Sequence, residues 1–531
     1  MKPGHGAGRG DRGGWVAHLA ACVVLAVLGL APAPVTAASR VASAYSANPT
    51  IARDIETLVR DARLGSARVG VSVVDLGSMA RLAGVEHEAK YIPASNMKVL
   101  TTGAALAVLG PEYVFRTELI LSGDVLVLKG AGDPALGDPE FLKRVSTDLS
   151  AENVLNAMAR AVHDAKVTSI REIVVDDRVF DRQYVHPRWP ADQLDRHYCA
   201  AVGGVNFHRN VLDFYARPAP DGVSAPDFTL EPRAPWISRE VRIGARTVTT
   251  GRHTAWVRRD MRANRFALLG DVRYPAQAPA RVALHDPALF AGQLLADRLA
   301  SLGVVVGSTP GGTAAVAQVR LAASDERFDE GRVLAVVTTP LADIVQLCNV
   351  DSVNLYAEAL LKLLGHAVSG ESGSWETGAS VLRMVLAERL GPQAATNIVV
   401  SDGSGMSRDN EVSPALLTTF LASMYRDPQL SSVFVASLPE AGDGTLRRRF
   451  REVKIANEVR AKSGYLNGVR TLSGYVIHRP SGRAVGFSIL INDLSGAGAT
   501  DARALKLHED IVSVIDRYLT AASGATVSAT P

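Results

Sequence analysis

An α/β fold interrupted by a large, mainly β insertion is what the sequence predicts, and three observations carry it. An apolar, β-branched run near the start, Val69 to Leu76, is matched near the end by two adjacent strand patterns, Val469–His478 and Ala484–Asn492. Helical patterns lie between and after them. A stretch of short alternating segments with frequent proline fills the middle, from about 205 to 282.

The elements follow in order. A helix over Thr50–Ala62 leads into Val69–Leu76, and the loop Tyr91-Ile92-Pro93-Ala94-Ser95 comes next. Asn96–Leu109 is rich in apolar residues (Met97, Val99, Leu100, Ala104, Leu106, Ala107), which predicts a buried helix, closed by Gly110-Pro111. Strands are expected at Arg116–Leu121 and Val125–Lys129 and a helix at Val154–Asp164. In the middle, Arg239–Ile243, Thr247–Thr250 and Phe266–Val272 alternate as strands do, with joints at Pro218, Pro220, Pro226, Pro232 and Pro235. Ala288–Leu302 is helical in pattern. After Arg332 the rhythm becomes helical, through Leu341–Cys348, Val353–Leu364, Trp375–Leu390 and Pro414–Tyr425. An amphipathic helix, Asp501–Leu519, follows the last strands.

At 531 residues, 47% hydrophobic and 21% charged, the chain is long enough for two or three domains with a sizeable core. It is too apolar for disorder and lacks collagen-like or coiled-coil bias. Fifty-seven basic against 54 acidic residues give a formal net charge of +3. Part of that excess lies in residues 1–38, where Lys2, Arg9 and Arg12 face only Asp11. The nearly neutral remainder gives no electrostatic ground for nucleic acid or an anionic membrane as partner.

Residues 1–38 read as an export signal. They have a basic start, an apolar run from Val16 to Leu30, and small residues at Val35-Thr36-Ala37 where a signal peptidase would cut. The run is short for a bilayer span and is followed by Pro32 and Pro34, so no stable span is expected in the mature chain. Leu19-Ala20-Ala21-Cys22 has the shape of a lipoprotein processing site, but most of the apolar run follows Cys22, which argues against lipidation. Export permits a disulfide between the remaining Cys199 and Cys348, and two unpaired buried thiols fit at least as well. The expected location is the periplasm, outside the cytoplasmic membrane.

Lysine is scarce, ten against 47 arginines. Lys98 has a serine three residues before it, in Ser95-Asn96-Met97-Lys98, a spacing that ten lysines would produce about once by chance. The setting gives it weight. Ser95 falls at a predicted helix N-terminus, where free backbone N–H groups and the helix dipole favour developing negative charge. Lys98 lies one turn on, on the same face. A desolvated lysine beside a second cation can lose its proton and act as a base. Taken alone, a helix cap followed by a surface lysine is the commoner explanation.

Ser352-Val353-Asn354 stands near the start of another predicted helix. A hydroxyl there can relay a proton and an amide can hold a substrate carbonyl, although Ser-x-Asn recurs by chance in a chain this long. Lys462-Ser463-Gly464 is rarer, with about 0.1 chance occurrences. Lys462 and the Ser463 hydroxyl can grip a carboxylate, Gly464 lets a substrate backbone approach, and a strand edge can pair with a peptide. A plain turn between strands is the bland alternative.

In this order the three elements resemble the signature of penicillin-recognising serine enzymes. Longer stretches carry the resemblance further: Pro93–Lys98, Asn349–Glu358, Ser401-Asp402-Gly403-Ser404-Gly405-Met406-Ser407-Arg408 and Leu438–Leu446, with Gly130–Pro134 and Asp177–Asp181 beside them. On these the chain is identified as a member of the class C low-molecular-mass penicillin-binding proteins, D-alanyl-D-alanine carboxypeptidase/endopeptidases. The separation of 254 positions from Lys98 to Ser352 leaves room for the large insertion that this family carries there.

The resemblance implies a three-layer transpeptidase/serine β-lactamase-like domain built from residues 39–112 and 333–522 around an inserted, mainly β region, 113–332. Residues 1–38 would be the signal peptide and 523–531 a flexible tail. It implies that Ser95 is the acylated nucleophile and Lys98 its general base. Ser352 would pass the proton to the departing D-alanine amine, and Asn354 would hold the substrate backbone. Lys462 and Ser463, beside Gly464, would bind the terminal carboxylate, and the backbone N–H groups of Ser95 and Tyr465 would form the oxyanion hole. Peptidoglycan peptides are the implied partners, β-lactam antibiotics the implied covalent inhibitors, and no cofactor or metal is implied. Ser463 replaces the family's commoner threonine and keeps the hydroxyl. Arg408 fits an arginine that the family uses, with an acidic partner falling near Asp192-Gln193, for a diaminopimelate side chain; Trp189 is a candidate wall of that pocket.

Two other functions remain alternatives. A β-lactamase of the same superfamily would differ by fast deacylation, and a non-catalytic peptidoglycan-binding scaffold could keep the fold, against which the intact motifs argue. Gly130–Ala135 matches a loose dinucleotide pattern, but Pro134 suits the required helix start poorly. No Gly-x-Ser-x-Gly elbow, Walker loop, His-Glu-x-x-His or Cys-x-x-Cys spacing is present. His186, His197 and His208 recur every eleven residues and read as bystanders.

Overall fold

A computed structural model describes residues 49–307, 313–328, 330–495 and 500–527. The export signal with its Cys22 site, and residues 528–531 of the expected tail, lie outside the described residues; 523–527, expected as flexible tail, instead continue the helix Asp501–Val527.

A five-stranded antiparallel sheet runs in the order Glu458–Leu466, Val469–His478, Arg483–Asn492, Arg68–Asp75, Arg81–Val85. The two ends of the chain therefore meet, with Val71 opposite Ile489 and Val73 opposite Phe487. Alternation along each strand sorts its side chains between two faces. Val71, Val73, Leu472, Val476, Phe487 and Ile489 pack with Ile55 of the helix Pro49–Asp61 and with Leu507, Ile511 and Ile515 of the helix Asp501–Val527. Tyr475, Ile477 and Leu490 turn the other way, into the core that holds Leu100 and Phe420 of the helices Met97–Leu109 and Pro414–Arg426. Helix, sheet and helix make three layers, the transpeptidase/serine β-lactamase-like α/β arrangement. Met97–Leu109 is buried continuously from Met97 to Leu106, as its apolar sequence requires.

The chain from 114 to 340 adds a mixed five-stranded sheet, in the order Val319–Leu321, Glu172–Asp176, Val125–Lys129, Val114–Ser122, Arg332–Pro340. Smaller sheets accompany it, among them Ala280–Ala283 with Val211–Arg217 and Asp227–Glu231. The helices Ala151–Asp164 and Pro287–Ser301 share its core through Leu155, Leu294, Leu126 and Ile173.

Several elements differ from the sequence pattern. Arg332–Pro340 is a strand paired with Val114–Ser122, and the helices begin only at Leu341. Its β-branched residues Val333, Val336, Val337, Thr338 and Thr339 favour extended backbone. The expected strand Arg239–Ile243 shrinks to Arg242–Ile243, because Pro235 starts a short helix, Pro235–Ser238. Lys462-Ser463-Gly464 lies not in a plain turn but, as its strand-edge reading expects, on an edge strand, Glu458–Leu466. Pro439–Ala441 bonds to its first half. The half that carries Lys462–Tyr465 lies beyond that pairing.

Candidate active site

Ser95 sits in a 3-10 turn, Ala94–Asn96, that runs into the helix Met97–Leu109. The turn is tied down from both sides. Ile92 N donates to Asn492 Oδ1 at 2.7 Å, and Thr471 Oγ1 donates to Pro93 O at 2.9 Å. Ala94 has φ +46°, a left-handed conformation that costs about 1–2 kcal/mol for a residue with a Cβ. Gly405, itself at φ +82°, lies against the Ala94 carbonyl so closely that a Cβ there would collide with it. The packing of Gly405 and the ties at Ile92 and Pro93 hold Ser95 half-buried at the helix start.

Lys98 is fully buried, with Nζ 3.1 Å from Ser95 Oγ. Nζ donates to Asn354 Oδ1 at 2.7 Å and to Ser404 O at 2.8 Å. Both partners are acceptors only, so two bonding positions of the nitrogen are committed as N–H donors. The third faces the Ser95 hydroxyl, and in a neutral lysine it is a lone pair aimed at the Ser95 proton. Burial lowers the Lys98 pKa from its ordinary value. Cys348, Glu358 and Asp402 oppose that shift, but burial pushes the Cys348 thiol up to about 12 and keeps it neutral, which leaves the two carboxylates as the opposing charges.

Ser352 stands between the helices Leu341–Val350 and Asn354–Ser369, at φ +58°. Lys462 Nζ, also fully buried, donates to Ser352 Oγ at 2.9 Å and to Ser463 O at 2.8 Å. Burial, then repulsion from Lys98, drives the Lys462 pKa well below the usual lysine range. Asn354 Nδ2 donates to Tyr198 O at 2.9 Å, which turns the amide oxygen toward Lys98. A Cβ on Gly464 would sit 2.9 Å from Ser95 N and would crowd Thr471 Oγ1 more closely still. Only glycine lets the edge strand approach the Ser95 backbone in this way.

Ser95, Lys98, Ser352, Asn354, Lys462 and Gly464 thus converge, and Ser463 joins them through its carbonyl, on Lys462 Nζ. Tyr465, next along the strand, is 67% exposed, with the Arg470 guanidinium 3.6 Å above its ring. Arg408 is exposed and donates to Asn467 O at 3.0 Å. Asp192 lies on an exposed turn, Ala191–Gln193, and among the described residues no hydrogen bond or ion pair joins it to Arg408. Trp189 is buried and donates its indole N–H to Asp402 Oδ2 at 3.0 Å. In this structure it is a partner of a buried carboxylate.

Sequence reasoning missed two buried acids behind Lys98. Glu358 accepts from Trp375 Nε1 at 2.8 Å, Gly403 N at 2.9 Å and Ser404 N at 2.8 Å. Asp402 accepts from Gly405 N at 2.8 Å, Ser407 N at 2.6 Å and Asn410 Nδ2 at 2.7 Å. Burial, with the Asp402 charge beside it, raises the Glu358 pKa to about 7. One signal was present in the sequence: an acid one turn after Asn354, inside the apolar run Leu355–Leu361.

Among the described residues no group of three His, Cys, Asp or Glu is placed to hold a metal ion. His186 packs edge-on against Trp375, ring centroids 5.0 Å apart. Cys199 and Cys348 are free and buried. No helix among the described residues is long and apolar enough to cross a membrane.

Residues 51–510 match the model of the D-Ala-D-Ala carboxypeptidase 3 (S13) family. A D-alanyl-D-alanine carboxypeptidase of Actinomadura sp. (strain R39) is 33% identical over 537 residues, covering 94% of this chain and 92% of that one. The crystal structure of penicillin binding protein 4 from Haemophilus influenzae superposes with a TM-score of 0.69 at 20% identity, over 87% of this chain and 99% of that one. The same protein complexed with a novel β-lactam superposes with a TM-score of 0.66 at 19% identity, with the same coverage.

Proposed function

Because the chain belongs to the D-Ala-D-Ala carboxypeptidase 3 (S13) family and is a serine-type carboxypeptidase, we propose that it trims peptidoglycan stem peptides through an acyl-enzyme on Ser95 and also opens D,D-cross-links. Such substrates lie outside the cytoplasmic membrane, which fits the export signal read in residues 1–38. The observation that carries the proposal is the Lys98–Ser95 contact of 3.1 Å, with the other two lysine positions committed to Asn354 and Ser404.

Neutral Lys98 takes the Ser95 proton as Oγ attacks the carbonyl carbon of the penultimate D-alanine. The oxyanion forms against the backbone N–H groups of Ser95 and Tyr465, each donor worth ~3 kcal/mol. The proton moves from Lys98 through the Ser352 hydroxyl to the departing D-alanine nitrogen. Water then attacks the ester, giving its proton to Lys98, which returns it to Ser95 Oγ as the Oγ–C bond breaks and the shortened peptide leaves. A β-lactam offers the same amide and carboxylate and would leave Ser95 acylated; the Haemophilus penicillin binding protein 4 in complex with a β-lactam makes this a natural extension.

Two lysines buried side by side do not both hold a proton readily. Burial lowers the pKa of both, opposed by Glu358 and Asp402 at Lys98 and by Asp351 at Lys462. A substrate carboxylate against Lys462 decides where the proton sits. It keeps the proton on Lys462, and the resulting ammonium drives the proton off Lys98. The free C-terminus therefore frees the base that deprotonates Ser95 beside it. A peptide with an amidated C-terminus is expected to lose about a hundredfold or more in kcat/KM. Equal hydrolysis of acid and amide would contradict this account of Lys462.

Gly464→Ala is expected to lower the penicillin acylation rate about tenfold or more, because the edge strand must retreat from Ser95. Stopped-flow acylation, with a melting curve to verify folding, measures it. For the function itself, the protein would be incubated with a pentapeptide ending in D-Ala-D-Ala and with a cross-linked muropeptide dimer, and the products resolved by mass spectrometry. Release of D-alanine and of monomers is expected. Monomer release alone missing would restrict the enzyme to carboxypeptidase action, and rapid penicillin hydrolysis with neither product would favour a β-lactamase.

A further inference from the structure

The mechanism above leaves Glu358 without a role, although it is fully buried one turn beyond Asn354 on the same helix. Both of its oxygens are held by donors from other segments. Oε1 accepts from Ser404 N at 2.8 Å, and Oε2 from Gly403 N at 2.9 Å and Trp375 Nε1 at 2.8 Å. The carbonyls of these same two loop residues face the helix that carries Lys98. Ser404 O accepts from Lys98 Nζ at 2.8 Å, and Gly403 O accepts from Thr101 Oγ1 at 2.7 Å. The loop is thus a plate two residues wide, gripped through its N–H groups by Glu358 and gripping the lysine helix through its carbonyls. It has no slack, because a Cβ on Gly403 would stand 2.5 Å from Ala357 O.

We propose that Glu358 is a positioning residue for acyl transfer, holding Gly403 and Ser404 so that the Ser404 carbonyl keeps Lys98 aimed at Ser95. This rests on the roles given above to Ser95 and Lys98. A carboxylate suits the task because it accepts only, and three N–H donors converge on it. Glutamine would offer one oxygen and turn an NH2 group toward those donors.

The charge has a separate consequence. Glu358 is faced by Asp402 from the loop, Lys98 from the helix Met97–Leu109 and Trp375 from the next helix. Cys348, on Leu341–Val350, also feels the Glu358 charge but is itself neutral. Lys362, one turn on, is paired with Asp181 at 2.6 Å. With its pKa raised to about 7, Glu358 ionises in the neutral range and then favours the ammonium form of Lys98. Removing that charge lets Lys98 reach its neutral form at lower pH. The acid limb of the acylation rate then moves to lower pH, an effect that loss of mere packing would not produce.

The test is the rate of benzylpenicillin acylation against pH for the parent, Glu358→Gln and Trp375→Phe, each with a melting curve. An unacylated parent would refute the proposed function and not this inference specifically. With an acylated parent, Glu358→Gln should acylate about tenfold or more slowly, with its acid limb at lower pH. Trp375→Phe, which removes one donor and leaves the two backbone contacts, should slow acylation by about threefold. A folded Glu358→Gln with the parent's rate and pH profile would overturn the proposal. Should Glu358→Gln fail to fold, Trp375→Phe decides, and an unchanged rate and limb in that variant would overturn it equally.

Discussion

Ser95→Ala is expected to abolish D-alanine release and penicillin labelling together, a loss of roughly 10^4-fold or more. Among the described residues, Ser95 is the one whose hydroxyl is bonded to Lys98 Nζ. Ser352 has its hydroxyl on Lys462, and Ser404 is buried behind Lys98. The stability change should be small, within about 1 kcal/mol, because Ser95 is half-buried and its Oγ contact is with Lys98. A product assay beside a melting curve separates the two effects. Residual labelling of Ser95→Ala above about 1% of the parent rate would place the nucleophile elsewhere.

Lys98→Met carries the second largest effect, roughly a 10^3-fold loss or more of acylation, since Ser95 would then attack as a neutral alcohol without a base. Its stability should depend on pH in a defined direction. Folding lowers the Lys98 pKa, so between that value and the unfolded value of about 10.4 the unfolded chain binds more protons. Lys98 therefore contributes more favourably as pH rises through that window and burdens the fold with a buried charge below it. Methionine removes that burden but leaves Asn354 Oδ1 and Ser404 O short of a donor, about 1–3 kcal/mol each. The stability of Lys98→Met relative to the parent should improve as pH falls, and chemical unfolding at several pH values reads this. A difference that worsens as pH falls would mean that Lys98 is charged and well compensated in the folded protein. In the parent, the acylation rate should rise with pH and level off below the ordinary lysine range.

The chemistry at this site was legible where it is local. Ser95 and Lys98 lie one turn apart on a strongly apolar helix, Asn354 opens another, and Lys462 is one of only ten lysines. The helices themselves announce their limits through caps such as Ser374 and Ser413. What escaped is set by distance along the chain. Glu358 meets Gly403 and Ser404 forty-five and forty-six residues away, and no periodicity encodes that contact. Glu458–Leu466 was legible only as a strand edge at Lys462-Ser463-Gly464. Val459 and Ala461 alternate into the core and Lys462 faces the other side, against Ser352, but the polar/apolar alternation ends at Ser463 and Gly464, so its extent was not. The positive φ of Ala94 was equally silent, being imposed by Gly405 and by the ties at Ile92 and Pro93.

The hydroxyl held by Lys98 should be the one that is acylated. The direct measurement is the intact mass of the protein after exposure to benzylpenicillin, followed by peptide mapping, with Ser95→Ala alongside. One penicilloyl group on the peptide that contains Ser95, and none on the variant, is the predicted result. An adduct on any other residue, or the same adduct on Ser95→Ala, would contradict it.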